Sequence, residues 1–273
     1  MKKLILIKLG GSVITDKTKP FTAKPKIIKR LALEIKGAKK LLPDTDLILG
    51  HGSGSFGHTL ASKYQTQLGL INKNSTKGLC QVSNVAVDIN RIVLKEFLGV
   101  GMNVFSFSPV SFIYSSSDKL EDVFIKPIKR ALELNLVPIV YGDVIFDFKK
   151  GFTIYSGEKT LDILAKKLSK NYSKVKVIQC GDTDGVYDER GKTIAEITSK
   201  NFPRIKKALG GSKSTDVTGG MAHKVLESLV LAKKDITSII INGETKNELL
   251  NTLLGKKHHG TEVVCKFNIY KGL

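Results

Sequence analysis

Short runs of consecutive apolar residues alternate along this chain with longer segments in which apolar residues recur at helical spacing. The runs 3–8, 46–50 and 175–180 are predicted strands, and segments 25–42 and 76–98 are predicted helices. Strands that are apolar throughout must be buried on both faces, as in a parallel sheet covered by helices. The alternation therefore predicts an α/β fold, a three-layer αβα sandwich with a mainly parallel central sheet.

The same alternation continues to the end of the chain. The remaining predicted elements are strand 104–108, helix 120–136, strand 137–144, a hairpin over 146–155, helix 158–170, helix 217–234, strand 236–241, helix 244–254 and strand 261–265. No Pro-rich linker or low-complexity tract separates the two halves. We therefore expect one continuous sheet shared by an N-terminal lobe, residues 1–170, and a C-terminal lobe, residues 171–273.

The chain is strongly basic, with 44 Lys and Arg against 25 Asp and Glu and a formal net charge of +19. A surface that binds nucleic acid combines clustered basic residues with aromatic side chains on which bases stack. Here the lysines are spread along the whole chain, and the aromatic residues, 7% of the total, include no Trp. Specific nucleic-acid binding is therefore not expected, whereas a general attraction for phosphate groups is.

No apolar run is long enough to cross a bilayer, so no membrane partner is expected. The apolar run at the N-terminus is interrupted by Lys8 and two glycines, which predicts a first strand rather than a signal peptide. The cysteines Cys80, Cys180 and Cys265 form no CxxC pair. Buried free thiols in a reducing compartment, and a cytoplasmic location, are the expectation.

A glycine-rich segment, His-Gly-Ser-Gly-Ser-Phe-Gly-His at 51–58, follows the second predicted strand and precedes a predicted helix. Alternating glycines at such a junction let the backbone approach a ligand closely and direct N–H groups toward an anion. The flanking His51 and His58 can donate further hydrogen bonds. The segment is therefore a candidate site for a phosphate-bearing substrate, and a plain tight turn with surface histidines is the alternative.

The first predicted strand ends in a lysine and two glycines, within Lys-Leu-Gly-Gly-Ser-Val-Ile-Thr-Asp-Lys at 8–17. In open α/β sheets the C-terminal ends of the strands border the ligand crevice, so Lys8 is expected to point toward a phosphoryl group. Lys17, a short loop away, is a candidate second cation. The alternative for each is a lysine on a solvated edge.

A third candidate lies at 216–224, Asp-Val-Thr-Gly-Gly-Met-Ala-His-Lys, where a helix is predicted to begin. Asp216 or Thr218 can cap this helix, and Lys224 falls in its opening turns. The helix amides and Lys224 together can bind the outer phosphates of a nucleotide. An ordinary capped helix with an exposed lysine is the alternative.

Several well-known catalytic motifs are missing from the sequence. It contains no P-loop, no protein-kinase HRD or DFG motif, no nucleophile elbow and no HExxH. The absence of these motifs favours a reaction in which the protein positions the substrates and stabilises charge during phosphoryl transfer, with little covalent chemistry of its own.

Five stretches together resemble the amino acid kinase superfamily in order and spacing: KLGGSVITDK at 8–17, HGSGSFGH at 51–58, YGDVIFD at 141–147, GDTDGVY at 181–187 and DVTGGMAHK at 216–224. Within it the chain most resembles the isopentenyl phosphate kinases, over almost its whole length. His58 carries this closer resemblance, because amino-acid-directed members have the glycine loop but generally lack that histidine. The resemblance implies ATP-dependent phosphorylation of isopentenyl phosphate to isopentenyl diphosphate, in isoprenoid precursor synthesis.

The resemblance also implies roles for individual residues. The ATP site would comprise Lys8, Gly10, Gly11, Ser12, Gly54, Asp182, Gly219 and Lys224, and the acceptor site Ser53, His58 and Gly157. The catalytic groups would be Lys8, Lys17, Lys224 and His58. The apolar tail of the substrate would lie against helix 76–98 and region 104–112. Mg²⁺ would be held mainly by the ATP phosphates, without a metal site of the protein's own, and a homodimer is the family's habit.

Two positions depart from the family pattern. The family commonly has Ser-Gly-Asp-Asp where this chain has Ser156-Gly157-Glu158-Lys159, and Ser53 stands where a glycine is usual. In the superfamily the acidic residue helps to orient the catalytic lysines, and Glu158 would do so with a longer arm. Either change could alter the rate or the acceptor preference.

Three other functions remain open from the sequence. A fosfomycin-type or other phosphonate kinase would share the His58 chemistry but have a small polar pocket. An amino-acid or carbamate kinase would make His58 incidental. A basic nucleic-acid-binding or regulatory protein would bind DNA or RNA in a salt-sensitive way and show no turnover.

Overall fold

A computed structural model describes residues 1–209 and 220–265. Its strands are β1 (Lys3–Leu9), β2 (Thr45–His51), β3 (Val104–Ser106), β4 (Ile113–Ser116), β5 (Lys119–Val123), β6 (Val137–Tyr141), β7 (Asp143–Asp147), β8 (Gly151–Tyr155), β9 (Lys174–Gly181), β10 (Glu196–Ile197), β11 (Ile236–Asn242) and β12 (Thr261–Val263). Its α-helices are α1 (Gly11–Ile14), α2 (Pro25–Leu41), α3 (Gly57–Tyr64), α4 (Ser75–Gly99), α5 (Lys126–Glu133), α6 (Gly157–Leu168), α7 (Phe202–Leu209), α8 (Gly220–Ala232) and α9 (Glu248–Leu253).

An eight-stranded sheet in the order β10-β12-β11-β9-β1-β2-β6-β3 forms the centre of the molecule. Its strands pair in parallel except where β12 runs antiparallel to β11. The sheet takes β1, β2, β3 and β6 from the N-terminal half and the other four strands from the C-terminal half. A second sheet, in the order β5-β4-β7-β8, lies beyond it and belongs to the N-terminal half.

Helices cover both faces of the central sheet, as the apolar strands predicted. In β1 the side chains Ile5, Ile7 and Leu9 pack with α2, α4 and α9, whereas Leu4 and Leu6 pack with α5, α6 and α8. All five side chains are buried. The structure therefore confirms the α/β class, the mainly parallel sheet and the three-layer sandwich.

Most predicted elements are confirmed to within a few residues, but three predictions were wrong. Residues 120–123, expected to open a helix, lie in β5, and α5 begins only at Lys126, with Pro127 in its first turn where proline is tolerated. The expected single strand 137–144 is interrupted at Gly142, which separates β6 from β7 in the other sheet. The helix expected from residue 244 begins at Glu248, after Asn247 in the left-handed region (φ 64°).

The burial of the cysteines was only partly as expected. Cys180 is buried in β9, where burial raises the pKa of its thiol to about 12. Cys80 is exposed on α4, and Cys265 is half-buried. The helical periodicity of α4 places position 80 away from its apolar face. Separately, no helix in residues 1–209 or 220–265 has the length and apolar character needed to cross a membrane.

Asp147, at the end of β7, explains why β5 exists. Its buried carboxylate accepts hydrogen bonds from Ser115 Oγ and from the backbone N–H groups of Ser117, Asp118, Lys149 and Lys150, at 2.7–3.0 Å. Ser117 and Asp118 both have positive φ (52° and 63°), so the carboxylate holds the tight turn that folds β5 back onto β4. Burial favours the neutral acid, but these hydrogen bonds outweigh it and hold the pKa of Asp147 below its usual range.

We expect Asp147→Asn to lower the free energy of unfolding at pH 7 by about 2 kcal/mol, because hydrogen bonds to a charged acceptor are lost. A carboxylate whose pKa is depressed in the folded state stabilises the fold above its unfolded pKa of about 3.9, and this contribution fades as pH falls further. The difference between the two proteins should therefore shrink below about pH 4. Urea unfolding at several pH values measures it. Asp122→Asn, an exposed aspartate of β5, is the control, and equal losses in both variants would contradict the prediction.

Candidate active site

The register of the sheet brings three chain segments to one edge. Lys8 lies beside Gly50 of β2 and Gln179 of β9, and Leu9 lies beside His51 and Cys180. The strands run in parallel, so their C-terminal ends are level. The segments that follow them, which begin at residues 10, 52 and 182, therefore leave the sheet side by side.

Glycines allow the segments that begin at residues 10 and 52 to contact each other and the neighbouring strands. Gly10 N–H donates to the carbonyl of Cys180 in β9 at 2.8 Å, and Gly52 N–H donates to the carbonyl of Leu9 in β1 at 3.2 Å. A Cβ on Gly11 would lie 2.7 Å from the backbone N and Cα of Gly54, so neither loop could approach the other with a larger residue there. Gly54 also has φ +50°, in the left-handed region that favours glycine.

Lys8 and Glu158 form the tightest ion pair at this edge, with Lys8 Nζ 2.6 Å from Glu158 Oε1. Only 13% of the Lys8 side chain is exposed, so its ammonium group is held in place. Burial favours the neutral form of Glu158, but the positive charges of Lys8 and Lys224 and the hydrogen bond from Lys8 outweigh it and lower the pKa of that carboxyl. The side chain of Glu158, one methylene longer than the aspartate common in the family, thus contacts Lys8. These two residues and Lys224 line one cleft.

Lys17 pairs more loosely with Asp182, the residue that follows β9. Lys17 Nζ lies 3.4 Å from Asp182 Oδ2, and about half or more of each side chain is exposed. Burial favours the neutral acid, but Lys17, hydrogen bonds from Ser12 and its own backbone lower the pKa of Asp182. Exposed pairs of this kind contribute only about 0–1 kcal/mol, so Lys17 can leave Asp182 for another anion at little cost.

The predicted acceptor residues Ser53, His58 and Gly157 lie around the first turn of α3 and of α6. Ser53 precedes α3, as does Gly54 of the predicted ATP site, and His58, the second residue of α3, is exposed. Gly157 opens α6 so close to strand β2 that a Cβ on it would overlap the carbonyl oxygen of His51. The structure thus places Gly157 next to the glycine-rich segment, 105 positions away in sequence from Gly52.

His51 is not directed at a ligand, contrary to the suggestion from its place beside the glycines. It is buried and stacks on Tyr141, with ring centroids 5.6 Å apart and planes 12° apart. Its ring nitrogens lie 3.1 Å from the Gly52 carbonyl oxygen and 3.2 Å from Asn90 Oδ1. Burial favours the neutral imidazole and lowers the pKa of its ring. The ring thus packs against the backbone of the glycine-rich segment inside the protein.

One predicted site residue, Gly219, lies outside the described residues, as do the predicted helix caps Asp216 and Thr218. Lys224 is described, in the second turn of α8, where it lines the cleft with Lys8. The contribution of residues 216–219 to a nucleotide site therefore stays a prediction from the sequence.

Lys24 and the pair Arg30–Glu34 were not found from the sequence. Lys24 Nζ bridges the Ser12 carbonyl (3.1 Å) and Glu244 Oε1 (2.9 Å). Arg30 donates to backbone carbonyls of residues 243–245, while Glu34 accepts N–H groups from residues 247 and 250. These contacts fasten the segment after β11 to α2. In the sequence, Arg30 and Glu34 are recognisable only as a charged pair within an amphipathic helix. Their partners after β11 lie more than 200 residues away and cannot be identified from the sequence.

This chain is similar in sequence and fold to known kinases. The model of the amino acid kinase family matches residues 3–242. The isopentenyl phosphate kinase of Methanocaldococcus jannaschii is 34% identical over 95% of this chain and 98% of its own, and that of Methanothermobacter thermautotrophicus is 32% identical over 96% and 100%. A crystal structure of isopentenyl phosphate kinase superposes with a TM-score of 0.78, at 29% identity over 95% of this chain and 99% of that one.

Proposed function

The chain belongs to the amino acid kinase family, and from that premise we propose that it transfers the γ-phosphoryl group of ATP to isopentenyl phosphate, producing isopentenyl diphosphate and ADP. Two isopentenyl phosphate kinase relatives match it over 98% and 100% of their own length. They favour this substrate over a phosphonate, an amino acid or a nucleic acid.

The observation that carries the proposal is the contact between two glycine loops at the C-terminal edge of the sheet. Gly11 and Gly54 meet with no room for a side chain between them, and Lys8, which precedes the Gly11 loop, lines one cleft with Lys224. Two phosphate groups bound one to each loop would be adjacent, which is what transfer between them requires.

The reaction needs positioning and charge more than proton transfer. An oxygen of the acceptor phosphate attacks the γ-phosphorus of ATP in line, and the bond from that phosphorus to the β–γ bridging oxygen breaks. Lys8, held by Glu158, and Lys224 would neutralise charge on the transferring group, with Lys17 moving to it from Asp182. Ser53, His58 and Gly157 would hold the acceptor phosphate. No general base is needed, because that phosphate arrives ionised.

The residues present fit a metal that travels with ATP. Glu158 pairs tightly with Lys8, Asp182 pairs loosely with Lys17, and no group of three or more metal-ligating side chains occurs in the described part of the chain. Mg²⁺ would take most of its ligands from phosphate oxygens and water, and it would supply further positive charge to the transferring group.

The division of labour between the halves is also part of the proposal. Residues 1–170 would bind isopentenyl phosphate, with its tail against α4 and region 104–112, and residues 171–273 would bind ATP. A homodimer is proposed because it is the family's habit, and a cytoplasmic location because the isolated cysteines favour a reducing compartment. Light scattering after size-exclusion chromatography tests the first, and cell fractionation tests the second.

The proposal is tested by ADP release from Mg-ATP with isopentenyl phosphate, dimethylallyl phosphate, geranyl phosphate, fosfomycin and N-acetylglutamate. Turnover of isopentenyl phosphate, with the diphosphate identified by ³¹P NMR, is the expected result. Turnover of only fosfomycin or only N-acetylglutamate would overturn the substrate assignment. Absence of any turnover, with salt-sensitive binding to RNA or DNA, would favour the non-enzymatic alternative.

We expect Lys17→Met to lower kcat about 10²-fold, because a cation that meets charge in the transition state is lost. The melting temperature should barely change, since the exposed pair with Asp182 contributes little to stability. Steady-state kinetics with isopentenyl phosphate and thermal unfolding measure the two effects. Lys19→Met is the matched control, an exposed lysine of the same loop. An unchanged kcat in Lys17→Met would remove Lys17 from the mechanism.

A further inference from the structure

The side chain of Thr15 lies where the two glycine loops meet. It is fully buried, and its hydroxyl takes part in two hydrogen bonds. Thr15 Oγ1 donates to the carbonyl of Gly11 at 2.6 Å and accepts from the backbone N–H of Ser55 at 3.0 Å. A single hydroxyl therefore joins the loop after β1 to the loop after β2, 40 residues apart in sequence.

The oxygen of this hydroxyl is packed tightly against both loops. A Cβ on Gly54 would overlap Thr15 Oγ1, so the oxygen occupies the space that the missing side chain leaves. The Gly11 carbonyl lies 2.7 Å from the same Cβ position. The Thr15 hydroxyl, the Gly11 carbonyl and the Gly54 backbone are thus packed against one another, which fixes the separation of the loops.

A third segment is fastened at the same point. Phe21 N–H donates to the Ser55 carbonyl and Thr22 N–H donates to Ser55 Oγ, each at 3.4 Å, while Asp16 N–H donates to the Thr22 carbonyl at 2.8 Å. Residues 16–22, which include Lys17, are therefore held against Ser55, whose own amide is bound by Thr15. The Thr15 hydroxyl connects the ATP-side loop, the acceptor-side loop and the segment that carries Lys17.

We propose that Thr15 is a positioning residue that sets the distance and direction between the two phosphate groups of the reaction. Thr15 is buried and acts through Gly11 and Ser55, and it touches neither substrate. The inference rests on the proposed function, because only a transfer between the loops makes their separation matter. Misplacement of reacting groups by about 1 Å costs on the order of 10² in rate, while each loop alone can still bind its phosphate. Loss of the hydroxyl should therefore affect kcat more than either KM.

Thr15→Val and Thr15→Ser form the decisive pair of variants. Valine keeps the shape without the hydroxyl, and serine keeps the hydroxyl without the methyl. We expect Thr15→Val to lower kcat by about 10- to 100-fold, with both KM values within about threefold, and Thr15→Ser to retain kcat within about threefold. Thr252→Val is the matched control, because Thr252 is also buried and donates to the carbonyl four residues earlier, far from the loops.

Hydrogen exchange gives a measurement that does not depend on the substrate. In Thr15→Val the Ser55 amide loses its acceptor, so exchange of segment 52–57 should be faster, whereas Thr15→Ser should exchange like the parent protein. Should Thr15→Val not fold, Thr15→Ala takes its place with the same expectations.

The outcomes separate this inference from the proposed function. A kcat in Thr15→Val within about threefold of the parent, or an equal loss in Thr15→Ser, would overturn the positioning role. A lower melting temperature of Thr15→Val with an unchanged kcat would also overturn this role, because it would mean that Thr15 contributes only to stability. Absence of isopentenyl phosphate turnover in the parent protein would defeat the proposed function instead. Unchanged exchange of segment 52–57 in Thr15→Val would overturn the link between the loops in either case.

Discussion

Replacing Lys8 by methionine is expected to lower kcat for isopentenyl phosphate by about 10²- to 10³-fold, the range for loss of one preorganised charge-stabilising group. Lys8 is preorganised because it ends β1, its side chain is largely buried, and Glu158 holds its ammonium group at 2.6 Å. No reorientation is then needed when charge develops on the transferring phosphoryl group. Lys17, which is exposed, must move to reach the same place.

The magnitude is measured by steady-state kinetics with ATP and isopentenyl phosphate varied in turn. The KM for isopentenyl phosphate should stay within about threefold, because Lys8 acts on the ATP side of the site. Lys3→Met is the matched control, since Lys3 lies at the exposed opposite end of the same strand. The melting temperature of Lys8→Met separates catalysis from folding. A correctly folded Lys8→Met with a parental kcat would contradict the role of Lys8 and of the cleft it shares with Lys224.

The central sheet could be predicted from the sequence because its evidence is local. A strand such as 3–9, apolar on both faces, has few alternatives in an α/β protein. β5 could not be predicted this way, because Lys119–Val123 is mostly exposed and carries three charged residues. Its conformation depends on the Asp147 carboxylate, which reaches across about thirty residues to hold the preceding turn.

The candidate site divides in the same way. The segments at 8–17 and 51–58 could be located because glycines and lysines at strand ends form a recognisable pattern. The cross-links between them could not, because Thr15 and Lys24 are ordinary polar residues whose partners are distant in sequence. His51 shows the reverse case, since a histidine next to the glycines invited a binding role that its burial under Tyr141 does not support.

His58→Ala is expected to lower kcat/KM for isopentenyl phosphate by about 10- to 100-fold, with the KM for ATP within about threefold. A hydrogen bond to a charged group contributes about 1.5–3 kcal/mol, which corresponds to that range. His58 is suited to this contact because it is exposed in the first turn of α3, four residues after Gly54. It lies on the acceptor side of the Gly11–Gly54 contact, so its loss should spare the binding of ATP.

Two further variants show whether the imidazole itself matters. His58→Gln keeps a neutral hydrogen-bond donor, so its kcat/KM should be about tenfold higher than that of His58→Ala. His259→Ala removes another exposed histidine, whose ring lies next to Glu248 and outside the proposed site, and should leave kcat/KM unchanged. If His58→Ala matched the parent protein, the acceptor phosphate would have to be held elsewhere. The histidine that the family resemblance predicts to hold a phosphate acceptor would then carry no weight in this chain, and the substrate assignment would rest on its relatives alone.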